Sequence, residues 1–162
     1  MSDAQPAVDA VANVTSAITQ LDVAIDASIH AFVARAREER KQRRAVLVRS
    51  DARATFSPYV LIYRVNKGYA ELVWSEIFYI KGSNKPRYRR VPCSDGGTHF
   101  HQIIKRAHPE EVDLIRSHEV QARAYRKLWS TFVVGRREFG KCATATQRVA
   151  DLANDPMVLE SR

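Results

Sequence analysis

From Val11 onward the apolar side chains Val11, Val14, Ile18, Leu21, Ile25, Ile29, Phe32 and Ala36 recur every three or four residues. This spacing is helical period held for about seven turns and predicts one long amphipathic helix over 11–44. The stripe is narrow, as in a coiled-coil seam. It fits packing against the chain's own sheet or later helices, and equally a partner interface formed by Val11, Val14, Ile18, Leu21, Ile25, Ile29 and Phe32, in a homodimer for instance. The run AREERKQRR consists of good helix formers and extends the helix. Arg37, Arg40, Lys41 and Arg44 then fall on one face at i, i+3, i+4, i+7 spacing as a basic stripe.

Beyond the helix the period changes to two. VLVR at 46–49, YVLIYRV at 59–65, YAELVWSEIFYI at 69–80 and RYRRV at 87–91 are β-branched and aromatic runs separated by turn residues. They predict an antiparallel meander of three or four strands within 46–92. Asn66-Lys67-Gly68 and Gly82-Ser83-Asn84-Lys85-Pro86 supply turns, and Leu72, Trp74, Phe78 and Ile80 share a face on which Glu76 is the polar exception. Helices are expected over 98–153. THFHQIIKRA forms a short one stopped before Pro109. Pro109-Glu110-Glu111 opens the next, with acidic groups complementing the helix dipole. Its core stripe runs Ile115, His118, Ala122, Tyr125, Trp129, Phe132, Val133 and weakens at Gly135, and a last short helix spans Cys142 to Leu152. The class is α+β: a long N-terminal helix, an antiparallel meander and C-terminal helices in one domain, 11–154, with flexible ends at 1–10 and 155–162.

A chain of 162 residues accommodates one such domain. Cys93 and Cys142 form no CxxC pair, so reduced thiols are expected. The N-terminal stretch lacks the basic start and apolar core of a signal peptide, and no run resembles a membrane span, so a soluble cytoplasmic protein with no membrane partner is expected.

Charge alters this picture. The net charge is +8, yet residues 1–34 hold four Asp and no Lys or Arg. The surplus lies in 35–49, with seven basic and two acidic residues, and in 81–90, with five basic and none acidic. Such concentrations attract polyanions, nucleic acid first among them. Lys81, Lys85, Arg87, Tyr88, Arg89 and Arg90 surround a tight turn, cations interleaved with an aromatic ring that can neutralise phosphates and stack on bases. On a ribbon, Arg87 and Arg89 point to one side and Tyr88 and Arg90 to the other. The helix stripe Arg37, Arg40, Lys41 and Arg44 completes the expected nucleic-acid surface, and with about 6 to 10 phosphate contacts affinity falls on the order of a thousandfold between roughly 50 and 200 mM salt. Arg123, Arg126 and Lys127 form a secondary basic face, interrupted by Glu119. An edge hairpin that resists aggregation and solvated helix faces are the structural alternatives for these clusters.

His99-Phe100-His101 matches the His-hydrophobic-His metal pair of rolling-circle initiators and relaxases, with Tyr125 as a conceivable nucleophile, but the following QIIKRA reads as helix and no third ligand stands at a regular spacing. No Walker loop, paired-carboxylate motif or nucleophile elbow is visible. No catalytic residue, metal site or cofactor is expected.

The stretches LVWSEIFYIKGSNKPRYRRVP and IIKRAHPEEVDLIRSHEVQARAYRKLW resemble, in their order, the MobI family of auxiliary mobilisation proteins of integrative conjugative elements and related plasmids. The resemblance covers roughly residues 69–130. It implies a DNA-binding accessory factor for initiating conjugative transfer, acting at the origin of transfer beside a relaxase or another relaxosome protein, with no catalytic residues of its own. A Tyr-dependent nicking enzyme, an RNA-binding module using Tyr79 and Tyr88 for stacking, and a protein-protein adaptor are the alternatives.

Overall fold

The computed structural model describes residues 5–51, 55–66, 69–92 and 100–153. Helix α1 spans Gln5–Ser50, strands β1, β2 and β3 span Tyr59–Asn66, Tyr69–Tyr79 and Pro86–Arg90, helix α2 spans Phe100–Lys105, and a 3-10 turn Pro109–Glu111 leads into helix α3, Val112–Ala153. The sheet is antiparallel in the order β1-β2-β3. The class is therefore α+β, with a long N-terminal helix and a three-stranded meander.

Three expectations are corrected. Residues 5–10 are helical, with Pro6 in the first turn, where its missing N–H costs nothing. VLVR at 46–49 is the last turn of α1 and not a strand. Its β-branched composition yields to register: Leu47 is buried and carries on the phase of Phe32, Ala36, Arg40 and Arg44, while Val46 and Val48 stay exposed. No Gly or Pro stands between Pro6 and Pro58 to stop the helix earlier. Likewise α3 runs unbroken for 42 residues through Gly135 and Gly140, so the two expected C-terminal helices are one. The tail at 155–162 and the SDGG loop lie outside the described residues.

The chain divides into two compact units, one of 28–127 and one joining the outer parts of α1 and α3. In the outer unit Arg136 donates to Asp22 at 2.8 Å and its guanidinium lies over the Phe132 ring, which also meets Trp129. Ile25 and Ala150 are buried here, but Val14, Leu21, Val134 and Val149 are exposed.

In the 28–127 unit the core is built on Ile29, Phe32, Leu61, Trp74, Ile103 and Ile115. The proposed seam thus splits: Ile29 and Phe32 are interior, Ile25 is buried in the outer unit, Val11 and Ile18 are half-buried, and only Val14 and Leu21 remain open to a partner. Trp74 donates its indole N–H to buried Glu119 at 2.8 Å, and Glu119 is held in turn by Arg123 and Arg126 at 2.8 and 2.7 Å. Arg126 also reaches the Leu72 carbonyl at 3.2 Å, where β3 no longer covers β2. Arginines of α1 close the free edge of β1: Arg37 donates to the Leu61 carbonyl and Arg40 to that of Tyr59. These bonds occupy the outward carbonyls of Tyr59 and Leu61, which leaves that half of the edge less able to pair with a further strand.

Beneath this edge lies Glu111, fully buried. Its carboxylate accepts from Arg44 Nε at 2.7 Å, Arg40 Nη2 at 3.3 Å and the Ser57 N–H at 3.2 Å. Burial alone would raise its pKa, but the Arg44 hydrogen bond and the charges of Arg40 and Arg44 outweigh this and hold it below the usual carboxylate range. Arg40 pays the converse: burial, then repulsion from Arg44, lowers it to about 10 against the pull of Glu111.

Candidate nucleic-acid interface

The five-cation segment 81–90 folds as the β2–β3 hairpin. Its turn closes with the Ser83 N–H donating to the Ile80 carbonyl at 2.9 Å, and Gly82 takes a φ of 84°, which other residues adopt only with strain. Ser83 Oγ then accepts from the Lys85 N–H at 3.2 Å. This geometry fixes Lys81 and Lys85 on either side of the tip. In the register, Phe78 faces Arg87, Glu76 faces Arg89 and Ile77 faces Tyr88. Opposed residues share a face, so Phe78, Arg87 and Arg89 point one way and Tyr79, Tyr88 and Arg90 the other. Tyr79 and Tyr88 are diagonal neighbours there, 65 % and 55 % exposed.

The cations of this hairpin are not equivalent. Glu76 binds Arg89, and Arg106 at 2.9 Å, while Arg106 also bonds the Tyr59 hydroxyl at 3.0 Å. Chiefly through the Arg89 hydrogen bond, the Glu76 carboxyl is held below its ordinary pKa. Glu71 takes Arg90 at 3.3 Å and Arg64 at 2.9 Å. The carboxylates missing from the 81–90 segment are supplied by β2. The side chains of Lys81, Lys85 and Arg87 have no hydrogen bond or ion pair with any described residue.

The helix stripe does not join this surface as expected. Arg40 is 6 % exposed and Arg44 is anchored on Glu111, so both are structural. Arg37 is exposed yet tied to the β1 edge, and Lys41 meets Glu38 at 3.7 Å. The stripe occupies positions that continue the apolar phase from Phe32 and Ala36, a sign in the sequence that it faces inward. In the secondary basic face Arg123 and Arg126 serve Glu119, and Lys127 has a partner too. Glu119, read from sequence as an interruption, is their buried anchor.

Tyr125 bonds Ser28 Oγ at 2.9 Å and stacks on Phe32, with centroids 5.1 Å apart. His118 is buried and pairs through Nε2 with Glu39 at 2.8 Å. Burial first, then Arg40 and Arg35, lowers its pKa despite Glu39, so the ring is neutral near pH 7. His99 and Cys93 lie outside the described residues, among which no group of three His, Cys, Asp or Glu is placed to hold a metal ion. Cys142 is an exposed free thiol. One helix, α1, contains an 18-residue window apolar enough, at mean hydropathy 1.2, to cross a membrane by length and composition, with 22 % of it buried. No protein-family model matches the chain, and neither a curated protein nor a solved structure shows significant similarity to it.

Proposed function

We propose that the chain is a cytoplasmic nucleic-acid-binding protein that grips the phosphate backbone with the β2–β3 hairpin, serving as a DNA-binding accessory in the initiation of conjugative transfer. The observation that carries the binding reading is the hairpin tip: the side chains of Lys81, Lys85 and Arg87 are unpaired among the described residues, and the exposed Tyr79 and Tyr88 lie together on the face opposite Arg87. Unpaired cations release counterions when they meet phosphates, while cations already satisfied by Glu71 or Glu76 gain less. The transfer role rests on the resemblance over 69–130, and the partners it brings are the origin of transfer and a relaxase.

Three phosphate contacts set a smaller salt dependence than the full nine-cation surface would: affinity for duplex DNA should fall about 40-fold between roughly 50 and 200 mM salt. Fluorescence anisotropy with labelled DNA measures this. The combined Lys81→Ala, Lys85→Ala, Arg87→Ala variant should bind at least about tenfold more weakly with a flattened salt slope, and an unchanged slope would refute the assignment. The same variant should fail to restore transfer to an element lacking this protein. A protein-protein adaptor would tolerate the changes, and a nicking enzyme would cleave DNA with Mg²⁺ or Mn²⁺ in a manner abolished by Tyr125→Phe. The exposed Tyr79 and Tyr88 favour unstacked bases, so single-stranded DNA and RNA belong in the same competition assay.

A further inference from the structure

Tyr79 and Tyr88 share one face of the β2–β3 hairpin, and the residues opposite them in the ladder are Pro86 and Ile77. Single exposed apolar side chains need no explanation, but two rings side by side on such neighbours form a contiguous patch, and a patch rimmed by charge marks a contact surface. The other tyrosines with described side chains are all engaged. Tyr59 bonds Arg106, Tyr63 meets the His30 ring edge to face, and Tyr125 bonds Ser28 and stacks on Phe32. Phe78, on the opposite side of the ribbon, already holds the Arg89 guanidinium 5.9 Å from its centroid. On Tyr79 and Tyr88, among the described residues, there is no hydrogen bond, ring contact or cation.

We infer that this face binds an unpaired nucleic-acid strand, DNA or RNA, by taking one base on Tyr79 and the next on Tyr88, an inference that rests on the hairpin reading and narrows its substrate. Charge complementarity supports this occupant. Lys81 and Lys85 stand at the tip end of the patch, and Arg90 lies at its other end on the tyrosine face, its side chain 53 % exposed despite the contact with Glu71. A strand laid along the face therefore meets cations for its phosphates at both ends. Spacing favours the unpaired form. Diagonal neighbours on a sheet stand about 7–8 Å apart. Bases in a regular duplex are separated by about 3.4 Å along each strand and cover one another's faces, so a duplex offers these rings only edges and backbone. A splayed single strand exposes its base faces, and every base has one, so stacking on two rings holds it without regard to sequence.

Fluorescence anisotropy of the full chain with labelled oligo-thymidylate, oligo-uridylate and a duplex of the same length tests this, at roughly 200 mM salt where the ionic contribution is reduced. At least one of the two strands should bind about tenfold or more tightly than the duplex. Tyr79→Ala and Tyr88→Ala should each weaken strand binding about tenfold, the effect of losing one stacked base, and should leave duplex binding and the salt slope unchanged. Tyr79→Phe and Tyr88→Phe keep the ring and should bind strands like the wild type, and circular dichroism reports that each variant is folded. The tighter of the two strands identifies DNA or RNA as the source, and equal binding shows that the sugar is not read. A duplex bound as tightly as both strands, or strand binding unchanged in both alanine variants, would overturn the inference. If the Lys81, Lys85 and Arg87 triple variant still weakened duplex binding in that case, the hairpin reading would stand without it. Failure of all three nucleic acids to bind would overturn both.

Discussion

Replacing Glu111 by alanine is expected to lower the unfolding free energy by about 3–5 kcal/mol, measured by urea denaturation at neutral pH. Glu111 is fully buried and gathers Arg40, Arg44 and the Ser57 N–H onto one carboxylate. Its removal leaves Arg40, itself 6 % exposed, as an uncompensated interior cation. Neighbouring Glu110, whose side chain is 60 % exposed and only 3.9 Å from Arg43, is the control: its alanine variant should stay within about 0.5 kcal/mol. The pH profile follows from the same contact. Because the Glu111 pKa is depressed in the fold, the unfolded chain binds the proton first on acidification. The stabilisation is complete above the unfolded value near pH 4.3 and is lost as pH falls through the folded value, so the wild type should lose stability in that window and Glu111→Ala much less. His118, also depressed, adds an earlier loss: stability should begin to fall as pH drops below about 6.5. An acid titration that is flat from pH 7 to about pH 4.5 would contradict the His118 assignment, and one showing no loss below about pH 4 would contradict that of Glu111.

Truncating Trp74 to alanine should cost a further large amount, about 3–5 kcal/mol. Trp74 is 0 % exposed, sits mid-sheet opposite Leu61 and Val91-bonded through its carbonyl, and ties the sheet to α3 through Glu119. Trp74→Phe retains most of the volume and loses only the indole N–H bond, so its cost should be nearer 1–2 kcal/mol. Thermal or urea unfolding of the pair separates packing from hydrogen bonding, and equal losses in the two variants would show that the Glu119 bond, not the ring volume, dominates.

The two predictions concern residues whose roles were unequally legible. Trp74 could be placed in the core from the alternation of β2, because a strand's period assigns faces before any partner is known. Glu111 could not. Its position beside Pro109 marks a helix entry, where acids are ordinarily solvated, and nothing local reveals that Ser57 and two arginines of α1 converge there. The arginines were misassigned for the complementary reason: Arg40 and Arg44 satisfy the spacing of a basic surface stripe, and the same spacing continues the buried phase of Phe32 and Ala36. Periodicity tells which residues share a face but not whether that face meets water or a buried carboxylate.

The hairpin shows the same division. That residues 81–90 form a turn between strands, with Arg87 and Tyr88 on opposite sides, follows from Gly82 and the two-residue period, which are local facts of backbone geometry. Which cations stay available does not, since Arg89 and Arg90 are neutralised by Glu76 and Glu71 from the neighbouring strand. Sequence alone therefore established the α+β class, the long first helix, the paired strands and the location of the charge, because propensity and period act over a few residues. Only tertiary structure decided which charges hold the fold together and which remain for a ligand, because a charge's partner is chosen by the approach of chain segments tens of residues apart.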